Sequence, residues 1–184
     1  MGDIRPTKPA KLFAGLLSND PDLMKRAAVL LAEAFGQVET VTETWPFDST
    51  DYYTPEMGSD LLRQFVSFVP TIHPHRLADI KRQTNELEKQ ICTDAAADPN
   101  FRLVNIDPGY LTLSKMILAT TKDYSHRIYL SQGIYAETTL HYESGNWTAW
   151  PWTYPDYAAG HYFPFFTTLR ENLKAQISES KTHE

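Results

Sequence analysis

Seven polar side chains fall within thirteen positions, Lys115, Lys122, Asp123, Tyr124, Ser125, His126 and Arg127. Together they supply cationic donors, a carboxylate, hydroxyls and one imidazole that titrates near neutrality. If the run from Lys122 to Arg127 is extended, Lys122, Tyr124 and His126 share one side and Asp123, Ser125 and Arg127 the other. His126 beside cations would tend toward its neutral form and serve as general acid or base. Tyr124 would then act as donor, with Lys122 or Arg127 holding an anion. The plainer alternative is a strand entrance whose histidine and arginine bond local carbonyls and Asp123.

Two further segments carry candidate ligands. Asp107-Pro108-Gly109-Tyr110 sets a carboxylate before a tight turn, where it could steer a metal or a substrate hydroxyl, or simply cap the turn. Ser114 and Lys115 would open a short helix whose free N–H groups favour phosphate, and Tyr110 and Tyr53 would add phenols to the ligand. Asp48, Asp51 and Glu56 share a loop with Tyr52 and Tyr53, a composition that suits Mg²⁺; Asp51 and Asp107 are the metal candidates. Turn-capping by these acids is the competing reading. Glu86 and Glu88 read as a solvated helix face, and the rings of Trp150, Trp152, Tyr154, Tyr157 and Tyr162 could stack on a base or close a core.

These side chains need a scaffold, and 184 residues suffice for one domain, 1–184, without disulfide support. Seventeen basic against twenty-three acidic side chains give a net charge of −6, which opposes broad capture of nucleic acid or anionic lipid. Cys92 is the only cysteine, so an internal disulfide and a thiolate zinc cluster are excluded. The apolar piece from Leu12 to Leu17 is too short for a signal, and no run approaches a membrane span. A cytoplasmic protein is expected.

Along the chain, residues 1–10 read as an N-terminal arm, Lys11 to Leu17 as a buried strand, and Pro21 to Phe35 as an amphipathic helix capped by Asn19 or Asp20 and ended by Gly36. A strand over 37–47, a loop over 48–58, a strand over 61–69 with a helix from Ser59 as the rival for its first half, and a helix after Pro74 with the stripe Leu77, Ile80, Thr84, Leu87 and Ile91 follow. A connection over 95–100 and a strand over 101–106 lead to the Pro108-Gly109 turn. This order matches an α+β, ferredoxin-like (βαββαβ) antiparallel sheet core. Added to it are a helix over 112–121, a β-hairpin over 126–142, a strand over 147–150, an aromatic packed loop over 151–164 and a C-terminal helix from Phe165 to Ile177. The tail over 179–184 should fray.

No P-loop, G-x-G-x-x-G, H-E-x-x-H or G-x-S-x-G motif occurs. The phrases KLFAGLL, PFDSTDYYTPEMG, LADIKRQTNELE, NIDPGYLTLSKMILATTKDYSHRIYL, GIYAE and PWTYPDY together resemble an uncharacterised bacterial domain-of-unknown-function family. The likeness spans nearly the whole chain. Some members are labelled GTP-binding, although the nearest approach here to a base-reading N-K-x-D motif is Thr121-Lys122-Asp123. The resemblance implies a cytosolic bacterial protein whose unusual polar segments lie at 48–58, 107–115 and 122–127. The function expected from the residues is binding of a small phosphorylated or nucleotide-like ligand, with acid/base or Mg²⁺-assisted phosphate chemistry. The alternative is a non-catalytic module that docks a protein partner or a second copy through its aromatic C-terminal region.

Overall fold

The computed structural model describes residues 2–98 and 101–182. Strand β1 (Ala10–Ser18) is buried along its length, as its nearly unbroken apolar run requires. Asp20 caps helix α1 (Pro21–Phe35): its Oδ1 accepts from the amides of Asp22 at 2.8 Å and Leu23 at 3.4 Å. Pro21 occupies the first turn, where no N–H is needed, and Gly36 ends the helix at φ 97°.

The segment expected as one strand over 37–47 is two, β2 (Val38–Val41) and β3 (Trp45–Pro46), both paired with β4 (Leu62–Ile72). Between them the Thr42 hydroxyl accepts the Phe65 amide at 3.0 Å. A side chain thereby takes the place of a ladder carbonyl and interrupts the strand. The loop over 48–58 holds a one-turn helix, α2 (Thr54–Met57). A 3₁₀ turn (Pro74–Arg76) then leads into α3 (Leu77–Asp94). The connection expected over 95–100 falls partly on residues 99 and 100, which lie outside the described residues.

Two expectations fail in the next segment. The strand placed at 101–106 is β5 (Asn105–Leu111), which runs straight through Pro108-Gly109, and the helix placed at 112–121 is β6 (Lys115–Thr120). The actual turn is Thr112 to Ser114, where the Thr112 hydroxyl accepts the amides of Ser114 and Lys115 at 3.3 and 3.2 Å. β7 (Ile128–Ser131) and β8 (Ile134–Glu143) form the expected hairpin, its Gln132-Gly133 corner at φ 54° and 78°. β9 (Asn146–Ala149), α4 (Pro155–Ala158) and α5 (Phe163–Thr182) complete the chain. The last helix extends through Thr182, past the point where fraying was expected to begin.

The protein is a mixed α+β structure with a large antiparallel sheet. Its main path runs β2-β4-β1-β5-β6-β8-β7, with β3 on β4 and β9 on β8. On one face Leu12, Ala14, Leu16, Val66 and Ile106 pack with α1 and α3. On the other, Phe13, Phe65, Leu111 and Met116 pack under α5. Among the described residues no helix is long and apolar enough to cross a membrane.

Candidate functional site

The sheet forks. β5 and β6 pair only between Gly109–Leu111 and Met116–Leu118; beyond that, β6 stays with β8 to Thr120 while β5 stays with β1 back to Asn105. Pro108 stands where the ladder stops, and a proline has no N–H to extend it. Two residues earlier, the Ile106 amide and carbonyl face the same gap and are satisfied from α3. The amide donates to Glu88 Oε1 at 2.6 Å, and the carbonyl accepts from Lys81 Nζ at 2.9 Å. A helix side chain thus fills each role of the missing strand.

A cavity of about 1100 Å³ occupies this fork, between α3 on one side and the loops around α2 and α4 on the other. That volume accommodates a small molecule of ordinary size. Its walls carry both signs of charge. Asp107 receives Lys81 at 3.3 Å on Oδ1 and Asn105 at 2.6 Å on Oδ2. Burial opposes its charge, yet Lys81, Arg63 and the Asn105 amide outweigh that penalty and hold the carboxyl below the usual carboxylate range. Burial wins at Glu88, whose carboxyl is pushed up to about 7 although Lys81, the Ile106 amide and Arg102 pull it back. Arg63 is only 3% exposed. It lies with Nη2 3.5 Å from Asp156 and Nη1 4.0 Å from Asp107, its guanidinium over the Phe47 ring.

The polar run after β6 is not extended. The Arg127 amide bonds the Tyr124 carbonyl at 2.9 Å, and this turn replaces the expected alternation. Lys122 and Arg127 therefore line the cavity together, while Tyr124 and His126 do not. Lys122 Nζ donates to the Tyr52 hydroxyl and sits 3.9 Å over the Tyr52 ring. Arg127 is fully engaged: Nε with Glu137 at 2.8 Å, Nη1 with the Lys122 carbonyl at 3.1 Å, Nη2 with the Tyr154 hydroxyl at 2.8 Å. His126 reaches the site only through Glu137, with Nε2 at 3.3 Å from Oε2, and it stacks on Trp152. Tyr124 is 65% exposed, its ring against His126.

Tyr53 and Asp107 line the cavity; Asp51 does not, although its neighbours Thr50 and Tyr52 do. The proposed metal pair is thus not brought together. Among the described residues no group of three or more His, Cys, Asp or Glu is placed to hold a metal. Ser114 and Lys115 belong to the β5–β6 turn and β6, so no helix N-terminus stands behind them. Tyr110 packs against Leu77, Ala78 and Ile117 instead of the cavity.

Sequence reasoning passed over Arg63, Lys81, Glu88, Arg102, Glu137 and Asp156, all of which line the cavity. Glu88, read as solvated, is buried. The signals were there in part. Arg63 and Glu137 interrupt apolar strand patterns, and Lys81, Thr84 and Glu88 step by three and four along the buried stripe of α3.

Fold and site together define a mixed α+β protein whose split antiparallel sheet holds a charged cavity. The sequence matches the family described as Domain of unknown function (DUF4416) over residues 8–173, and the chain belongs to that family. No curated protein and no solved structure matches it.

Proposed function

We propose that the fork cavity binds a small phosphorylated or nucleotide-like ligand, in a cytosolic bacterial protein built on the ferredoxin-like plan. For the plan, the support is the strand order β2-β4-β1-β5, with α1 and α3 packed on one face. For the ligand, the carrying observation is Arg63: a buried guanidinium lining the cavity whose Nε and Nη1 meet no hydrogen-bond acceptor among the described residues. Such donors favour an acceptor-rich guest. Lys122, exposed at the rim, is the cation that would meet a phosphate, and Tyr53 adds a phenol. Arg127, with each of its three nitrogens already bonded once, shapes the wall and holds Glu137, behind which His126 acts as a positioning residue. Asp107 has its oxygens taken by Lys81 and Asn105, so Lys122 and not a metal holds the phosphate in this reading. Proton transfer on the ligand falls to Glu88, which titrates near neutrality.

Calorimetric titration with nucleoside monophosphates and sugar phosphates tests the reading. Wild type should bind, and Lys122→Ala should bind about tenfold more weakly, the loss of one charge-assisted contact, without losing stability. Absence of binding by every phosphorylated compound would refute it. A docking module is the second reading, favoured by the sheet-edge strand β7, where Ile128 and Tyr129 are 72% and 57% exposed. A concentration-dependent dimer with no ligand response would select it.

A further inference from the structure

Three residues that line the cavity hold four buried polar atoms with no hydrogen-bond partner among the described residues: Arg63 Nε and Nη1, Asp156 Oδ2 and the Tyr157 hydroxyl. Their residues are 3%, 7% and 2% exposed. Orphaned groups at that depth are rare in native interiors, because each forfeits its water without recovering a bond. They are also close together. A Cβ added at Gly15 would stand 3.2 Å from Arg63 Nη1 and 3.3 Å from the Tyr157 oxygen, so these two groups meet over a stretch of β1 that carries no side chain. Arg63 Nη2 lies 3.5 Å from Asp156 Oδ2, near enough for charge pairing and too long for a strong hydrogen bond. The Tyr162 hydroxyl lies within hydrogen-bonding reach of both Arg63 and Asp156, yet no bond of good geometry closes on Arg63 Nε or Nη1 or on Asp156 Oδ2.

The set is amphoteric. Arg63 can only donate, the Asp156 carboxylate only accept, and the Tyr157 hydroxyl does either. A phosphate group would satisfy Arg63 and meet repulsion at Asp156. What satisfies all three is a neutral group with an acceptor oxygen beside an N–H or O–H. The aromatic ladder Tyr124, His126, Trp152, Trp150 and His141 is not the receptor for such a group, since its inner rings already stack on one another, His126 on Trp152 at 5.3 Å and Trp152 on Trp150 at 5.2 Å.

We infer that Arg63, Asp156 and Tyr157 form a recognition subsite for the uncharged part of the ligand, a part that presents a hydrogen-bond acceptor next to a donor. The inference rests on the ligand reading above, in which Lys122 takes the anionic end. Nucleobase edges and sugar hydroxyls share this chemistry. Water admitted to these groups would satisfy the same atoms without conferring selectivity.

Calorimetry on the full chain with inorganic phosphate, ribose 5-phosphate, uridine 5′-monophosphate and unphosphorylated uridine separates these cases. At least one organic phosphate should bind about tenfold or more tightly than inorganic phosphate. A lead for the uridine compound would assign the subsite to a base edge, and parity with the ribose compound to hydroxyls; either supports it. Tyr157→Phe should abolish most of that preference while melting at or above the wild-type temperature, because the deleted hydroxyl makes no internal bond. Asp156→Asn should reduce the preference as well. Equal affinity for all phosphates in wild type, an unchanged preference in both variants, or a Tyr157→Phe protein that melts well below wild type would overturn the subsite. Uridine binding that depends on Tyr157, with no gain from a phosphate, would sink the anion reading and leave the subsite standing. Binding of inorganic phosphate with no preference would do the reverse, and no binding at all removes both.

Discussion

Glu88→Gln should make the protein more stable above neutral pH while leaving it unchanged in acid. The Glu88 carboxyl is buried on the inner face of α3, and burial raises it from its ordinary 4.5 to about 7. A raised acid in the folded state means that the native protein holds a proton the unfolded chain has released between those two values. Glu88 therefore costs nothing below pH 4.5, and stability is lost as pH rises through about 7. At about 1.4 kcal/mol per pH unit, the interval corresponds to about 3 kcal/mol. Glutamine keeps an oxygen for the Ile106 amide, which Glu88 Oε1 now accepts at 2.6 Å, and carries no charge to desolvate. Urea unfolding of both proteins from pH 4 to pH 8, extrapolated to water, should give curves that coincide at the acid end and diverge above pH 5, with the variant ahead at pH 8. Parallel curves would show that Glu88 is charged at no cost, and burial would not then raise its carboxyl as argued.

Two other substitutions test the scaffold around the site. Lys11 is fully buried, and its Nζ holds Glu39 at 2.8 Å, Gln176 at 3.0 Å and the Val69 carbonyl at 3.3 Å. Lys11→Met should cost about 3 kcal/mol by stranding Glu39, and adding Glu39→Gln should recover more than half of the loss in a double-mutant cycle of urea midpoints; additive losses would contradict the pairing. Gly109→Ala places a methyl 2.5 Å from the Ile117 carbonyl and 2.6 Å from the Phe13 ring, so it should destabilise by roughly 3 kcal/mol in the same assay, and a neutral result would mean that β5 and β6 do not approach so closely.

Local signals were readable where local chemistry decides. The Asp20 cap, the Gly36 stop, the α3 stripe and the Gln132-Gly133 corner each specify their conformation within a few residues. The β5–β6 region misled for two reasons. Met116 to Ala119 is too short an apolar run to distinguish helix from strand by period. Pro-Gly reads as a turn, whereas here Pro108 marks the end of a ladder and Gly109 permits close strand approach. The site was half legible for a related reason. Lys122 and Arg127 were singled out as chemical neighbours of His126 and Tyr124, but a single turn at Tyr124–Arg127 sends the pairs to different places. Arg63, Lys81, Glu88 and Asp156 come from separate elements, and only the topology brings them together.

The polarity of the cavity follows from the break at Pro108. Splitting a sheet exposes backbone donors and acceptors that must be answered, and α3 answers Ile106 with the Lys81 ammonium as donor to its carbonyl and a Glu88 oxygen as acceptor for its amide. Buried charges then require partners of their own. Lys81 has Asp107 at 3.3 Å, Asp107 has Arg63 at 4.0 Å, and Arg63 has Asp156 at 3.5 Å. The contacts between Asp107 and Asp156 are longer than a hydrogen bond, and the sequence ends on a carboxylate oxygen with no donor. A relay of ions assembled only for stability would close on itself, since an unmatched end costs more than an apolar substitute. This one ends unmatched at Arg63, Asp156 and Tyr157, residues of the cavity lining, and a guest that reaches them would complete it.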